Sequence, residues 1–159
     1  MAIIKKLISG GQTGADTGAL VAARELGIET GGFAPKGWLT ESGPQEKLLR
    51  GFGLVECEQE GYPARTGRNV SEADGTLIIG RYRTGGTGLT YETARRMKKP
   101  LFLVALAAPP RTREFRSWLE RHNIQVLNVA GARESESPGI ANFTNRFLVT
   151  ALAADSVDD

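Results

Sequence analysis

The chain has 159 residues, 40% of them hydrophobic and 24% charged, which is enough for one well-filled core burying about 70% of its unfolded surface and short for two. Twenty basic and 18 acidic residues leave a net charge of +2, too balanced for bulk electrostatics to draw nucleic acid, so an anion has to be bound locally. Cys57 is the single cysteine and His122 the single histidine, which excludes an internal disulfide and leaves too few ligands for a structural zinc site; the N-terminus carries neither the apolar stretch of a signal peptide nor a membrane span, so a cytoplasmic protein is expected.

The first element, Ile3 to Ile8, is short and apolar at both ends and reads as a buried strand. Ala19, Leu20, Ala22, Ala23 and Leu26 then recur at helical spacing until Gly27, predicting a helix from Ala15 to Leu26. Gly31 to Ala34 is a weak second strand, and Pro35 to Gly53 a long loop with one helical turn near Glu46 to Arg50. Strands follow at Gly53 to Cys57, Gly75 to Gly80, Pro100 to Ala105 and Ile124 to Val129, separated by helices near Arg68 to Ala73, Thr90 to Lys98 and Thr112 to His122, with a last helix over Gly139 to Ala153. Runs such as "TLIIG" and "LFLVAL" suit strands covered on both faces, and alternation of strand and helix predicts parallel pairing. The expected fold is α/β, a Rossmann-like three-layer sandwich with a mostly parallel central sheet and helices on both faces. Residues 1–154 read as one domain and 155–159 as a flexible acidic tail.

Two glycine-rich turns stand out. "GGQTGADTG" joins the first strand to the first helix, where Gly10, Gly11, Gln12, Thr13 and Gly14 can aim backbone N–H groups at an anion beside a helix N-terminus. It lacks the lysine of a P-loop and the spacing of the dinucleotide fingerprint, so it indicates phosphate without naming the ligand; the plainer reading is a tight turn capped by Thr13 or Ser9. The second turn, Gly85, Gly86, Thr87 and Gly88, precedes the helix expected from Thr90, and both turns fall at the carboxyl edge of the sheet, where open α/β sheets bind ligands at a switch point. Glu92, in the expected first turn of that helix, is either a favourable helix charge or a carboxylate aimed into the cleft.

Arg65, Arg68 and Asn69 sit ahead of the fourth strand, where a helix bearing arginines can clamp a phosphate. Lys36 and Trp38 follow the second strand, Lys36 placed to meet a phosphate and Trp38 either to stack on a flat ring or to cover the core edge. Asp16 either caps the first helix or faces the ligand, with capping preferred, while His122 reads as a cap or dipole partner at a helix end and Cys57, among acidic neighbours, as inert. Arg133, Glu134 and Ser135 form a loop that either closes the pocket or caps the last helix, for which Pro138 suits the first helical position.

Taken together, "ISGGQTGAD", "GGFAPKGW", "YPARTGRNVSEADGTLII", "GGTGLTYETA" and "NVAGARESESPGI" resemble the molybdenum-carrier family within the SLOG superfamily of Rossmann-like proteins, over nearly the whole chain. The same superfamily includes the Lonely Guy-type, lysine decarboxylase-like phosphoribohydrolases, whose arginine, glycines and glutamate match Arg65, Gly85, Gly86, Gly88 and Glu92; Thr66, Thr84 and Leu89 depart from that enzyme pattern, replacing its lysine, proline and threonine. The resemblance implies a binding or carrier protein for a small phosphorylated ligand, of the molybdenum cofactor (molybdopterin) class or a nucleotide. It also implies a homo-oligomer, dimer or tetramer; composition and charge, separately, point to no structural metal, nucleic-acid or membrane partner. The alternatives are hydrolysis of a nucleoside monophosphate with Arg65 and Glu92 as the working pair, or a nucleotide-sensing module.

Overall fold

The computed structural model of the protein describes residues 3–59, 62–83 and 85–153. The acidic segment 155–159 and Thr84 lie outside the described residues. The element order is β1 (Lys6–Ser9), α1 (Ala15–Glu25), β2 (Glu29–Ala34), a 3-10 turn (Lys36–Trp38), β3 (Leu39–Thr40), β4 (Gly43–Pro44), α2 (Glu46–Gly51), β5 (Leu54–Glu56) and α3 (Tyr62–Glu72), followed by β6 (Gly75–Ile79), α4 (Gly85–Arg96), β7 (Leu101–Val104), α5 (Thr112–Arg121), β8 (Val126–Gly131) and α6 (Ile140–Leu152).

Six strands form one sheet in the order β5-β2-β1-β8-β6-β7, and every pairing in it is parallel. β3 and β4 make a separate two-residue hairpin inside the loop read as irregular. The all-buried β6 explains why "GTLII" reads as a continuous apolar run: it lies inside the sheet and is covered on both faces. α1 packs on α6 and α6 on α5, while α3 packs on α4, giving the helical layers that flank the sheet. Leu7, Leu20, Leu77, Ile79, Leu127 and Leu148 fill the core between them, all fully buried.

The chain runs outward from β1 through β2 to β5, crosses to β6 and β7 on the other side, and then returns to insert β8 between β1 and β6. The reversal of strand order therefore falls at β1, β8 and β6. β1 ends at Ser9 opposite Val129 and β6 at Ile79 opposite Gly131, two residues further along β8, so the loops after all three strands open at one edge.

Two helix starts fall earlier than the sequence indicates. α4 begins at Gly85 and not at Thr90, so the second glycine turn is the first turn of the helix itself. Glycine's low helix propensity reads as loop, yet the penalty is small at a helix start, where the amides have no partner within the helix anyway. α3 begins at Tyr62, because Pro63 sits in its first turn, where proline removes no needed hydrogen bond. β8 lies two residues beyond the expected strand, and α6 starts after Gly139, a left-handed N-cap, so Pro138 precedes the helix instead of opening it.

Candidate functional site

At the carboxyl edge of β1, β8 and β6 lies a cleft of about 250 Å³. Gln12 and Asp16 line it from the loop after β1 and the first turn of α1, Arg65 from α3, and Gly85, Gly86, Thr87 and Thr90 from the start of α4; Ala130 and Gly131 of β8 form its floor, and Arg133 and Glu136 its rim. The first amides of α4 have no carbonyl partner within the helix and carry its positive dipole end.

Arg65 reaches this place because Gly10 leaves room: a Cβ built on Gly10 would lie 1.6 Å from Arg65 Nη1. The guanidinium stands 3.7 Å from Asp16 Oδ2, and the two side chains are 12% and 8% exposed. Asp16 Oδ2 also accepts the N–H of Gln12 at 3.1 Å. Burial raises the Asp16 carboxyl to about 6, with Arg65 and then the backbone amides of Gln12 and Gly10 opposing that rise. The cleft thus holds a buried cation beside an acid poised near neutrality.

A carboxyl whose folded pKa lies above its unfolded one favours the folded state below the unfolded pKa, and that contribution is lost as pH rises through the folded pKa. For a rise from 3.8 to about 6 the loss is on the order of 3 kcal/mol. Asp16→Asn is therefore expected to gain melting temperature relative to the parent as pH rises from about 4 to about 7. Calorimetric melting across that range reads the difference, to which Glu41 and Glu136, present in both proteins, contribute equally. A constant gap would show that Asp16 does not titrate in this way.

The other side of the glycine loop faces a second cavity of about 550 Å³, lined by Gly11, Thr13 and Gly14 and by Glu41, Glu134 and Ser135 among others. Glu41, at the tip of the β3–β4 hairpin, fastens three loops together. Its carboxylate accepts the hydroxyls of Thr13 and Ser135 and, at 3.2 Å, the Ser135 N–H. Its own N–H donates to Gln12 Oε1 at 2.9 Å, and Arg133 Nε lies 3.9 Å away. The hydroxyls of Ser135 and Thr13 hold the Glu41 carboxyl below the usual carboxylate range, with Arg133 adding to them. Arg133 likewise lowers Glu136, whose Oε1 is 3.1 Å from its Nε. Glu134 caps α6, accepting the N–H groups of Gly139 at 2.6 Å and Ala141 at 3.0 Å. The loop after β8 therefore both borders the cleft and caps the last helix.

The residues singled out from sequence part company here. Gln12, Arg65, Gly85, Gly86, Thr87 and Thr90 meet in the cleft. Gly11, Thr13 and Gly14 turn to the second cavity, while Gln12 of the same turn lines the cleft with the start of α4. Gly11 has φ +79°, and a Cβ there would lie 2.9 Å from Leu54, so the turn itself requires this glycine. Asn69 is committed to the sheet: its Oδ1 accepts the Phe33 N–H at 2.9 Å and its amide donates to the Phe33 carbonyl at 3.1 Å. Arg68 lies over the Phe33 ring, 4.0 Å from its centroid.

Gly88 packs against the backbone of Arg83. Lys36 is exposed on the 3-10 turn, away from both cavities, and Trp38 is buried in the core edge with Arg50 over its ring. Glu92 lies about two turns into α4, exposed and away from the cleft, because the helix starts five residues before the expected one. Arg65 and Glu92 therefore form no pair at the cleft. The acid there is Asp16, which does not cap α1: the N-cap is Gly14, with no side-chain cap. Neither Ser9 nor Thr13 caps it, for the Ser9 hydroxyl donates to the Asp16 carbonyl and the Thr13 hydroxyl to Glu41. His122 does occupy the C-cap of α5. The part of Glu41 had no local signal, since its partners are 28 and 94 residues away.

Comparison with known proteins places the cleft in context. The model of the circularly permutated YpsA SLOG family matches residues 7–152. A crystal structure of the "Putative molybdenum carrier protein" of Syntrophus aciditrophicus SB superposes with a TM-score of 0.86 at 39% sequence identity, over 96% of this chain and 97% of that one. No curated protein matches. The resemblance read from the sequence motifs is borne out by both matches.

Proposed function

The chain belongs to the circularly permutated YpsA SLOG family, and from that premise we propose that it is a binding or carrier protein that takes the phosphate end of a phosphorylated heterocycle in the cleft under α4. The observation that carries this reading is the meeting of a buried guanidinium, Arg65, with the helix-start amides of Gly85, Gly86 and Thr87 in one cleft at the strand-order reversal. A cleft of about 250 Å³ is at the small end for a whole drug-sized ligand, so it suits a phosphate and sugar or pyran with the ring reaching outward.

A ligand of the molybdopterin class is the preferred occupant, with a nucleotide the alternative, since the similar crystal structure carries the carrier name. The residues fit the phosphate end of such a group through the Arg65 cation and the open amides. Any metal would come held by the cofactor's own donors. The hydrolase reading keeps one support, Asp16, a carboxyl raised toward neutrality at the cleft wall; release of free base from a nucleoside monophosphate by the unmodified protein would favour it.

Gly86 offers the cleaner test than Gly11. A Cβ at Gly86 meets nothing within 4 Å and its φ is ordinary for a side chain, so Gly86→Val leaves the fold intact while placing methyls over the amides of the cleft. Its ligand-free melting midpoint is expected to match the parent's within about 2 °C, and stabilisation by a nucleoside monophosphate or a pterin phosphate, seen in the parent, to vanish. Equal stabilisation of both proteins would show that the ligand does not use the start of α4.

A further inference from the structure

Resting on the reading of the cleft as an oxyanion site, we propose that Asp16 sets its ligand class: the cleft admits an oxyanion only together with a proton shared with Asp16, and so selects a terminal phosphate monoester over a sulfate or a phosphodiester. The geometry leaves little choice. Asp16 Oδ2 is 3.7 Å from Arg65 Nη1, and both side chains line the same cleft. An anion held by Arg65 and the α4 amides therefore meets the Asp16 carboxylate. Ionised, that carboxylate can only accept hydrogen bonds, and it already accepts one from Gln12 N–H. Two anionic oxygens in contact repel unless a proton lies between them, as in any pair of acids sharing one site.

The other charges around Asp16 do not relieve this. α4 presents Gly85, Gly86, Thr87 and Thr90, none of which titrates, and β8 presents Ala130 and Gly131. Arg133 and Glu136 at the rim pair with each other at 3.1 Å. Among the described residues Arg65 is the cation paired with Asp16, and the incoming anion competes for it. A phosphate monoester has a second pKa of about 6, so above that pH most of it also arrives without a proton, but its dianion is basic enough to take one up and share it with Asp16. A sulfate or a phosphodiester carries none there, so the proton must come from solvent onto Asp16. Burial has already raised that carboxyl to about 6 in the free cleft, which makes such uptake available in mildly acidic solution. No bond between heavy atoms changes; one O–H bond, of the phosphate or of hydronium from solvent, is exchanged for an Asp16 O–H bond, and the phosphate oxygen or water keeps the electron pair.

Isothermal titration with inorganic phosphate and inorganic sulfate as probes tests this in the intact protein and in Asp16→Asn, which keeps an oxygen acceptor for the Gln12 N–H. In the parent, phosphate is expected to bind about tenfold or more tightly than sulfate near pH 7.5, and the gap to close as pH falls below about 6 and Asp16 takes its own proton. Asp16→Asn is expected to bind the two anions alike at both pH values. Equal affinities in the parent near pH 7.5, or a preference for phosphate that persists in the variant, would overturn the inference. Should the variant not fold, the parent's pH profile decides, and a preference unaffected by pH overturns it. Failure of both anions to bind the parent overturns the reading of the cleft and this inference with it, whereas binding of both without preference overturns this inference alone.

Discussion

Gly14→Ala should lower the melting temperature by about 6–12 °C, equivalent to roughly 3 kcal/mol or more in a domain of this size. Gly14 is the N-cap of α1 with φ 82° and ψ −127°, a conformation that is costly for any residue with a Cβ. The added carbon would also lie 2.3 Å from the Ala132 carbonyl oxygen and 2.7 Å from the Glu134 amide nitrogen. Those are backbone atoms, so the clash cannot be relieved by rotating a side chain. The loop after β8 has to lift, and with it Arg133 and Glu136 at the rim of the cleft and the Thr13–Glu41–Ser135 fastening. Calorimetric melting measures the effect. A midpoint within about 2 °C of the parent would mean that the two loops are not seated on each other as described.

Arg65→Met should weaken inorganic phosphate binding about 100-fold or more, because truncating one partner of a buried, hydrogen-bonded charge interaction costs roughly 2–5 kcal/mol. Methionine retains most of the length and apolar body, so the packing against Gly10 is perturbed less than by alanine. The same change removes the cation 3.7 Å from Asp16, which opposes the effect of burial on that carboxyl. Its folded pKa then moves further above about 6. Since the stability contribution of a raised carboxyl is lost as pH rises through the folded value, the pH at which Arg65→Met loses stability relative to Asp16→Asn is displaced upward from that of the parent. Melting scans between about pH 5 and 8 read this displacement. An unmoved midpoint would mean that Arg65 does not act on Asp16, and undiminished phosphate binding would remove Arg65 from the site.

Much of the architecture can be read locally. β6 and β7 are apolar runs bounded by glycine, proline or turns, and α1, α5 and α6 announce themselves by helical spacing and by stops such as Gly27 and His122. What misleads is a residue type whose penalty depends on where in the element it falls. Gly85 to Gly88 and Pro63 read as loop, yet each is tolerated in a first helical turn, where amides are unpaired in any case. Both readings of Glu92, a charge at the helix start or a carboxylate in the cleft, depend on a helix that starts at Thr90; with α4 starting five residues earlier Glu92 stands outside the first turn and away from the cleft.

Side-chain partners are less legible still. Asn69 among arginines looks like part of a phosphate clamp, but its amide is matched to the Phe33 backbone 36 residues away. Trp38 after a strand reads from sequence as a stacking platform or as cover for the core edge, and the turn that carries it folds it into the core edge. Asp16 looks like a helix cap by position alone, and becomes the acid of the cleft only once α3 brings Arg65 beside it.

The sequence by itself determined the strand and helix alternation, the parallel sheet, the family and the two glycine turns, because backbone conformation and apolar periodicity act over a few residues and leave their mark in them. Only the tertiary structure decided that β8 inserts between β1 and β6, that Gly11, Thr13 and Gly14 open into a different cavity from Gly85 and Gly86, and that Asp16 stands buried against Arg65. Those outcomes depend on the order of strands in the sheet and on burial, which are properties of distant segments brought together: a carboxyl's proton affinity follows from the desolvation and charge that its neighbours in space impose, and no neighbour in sequence records them.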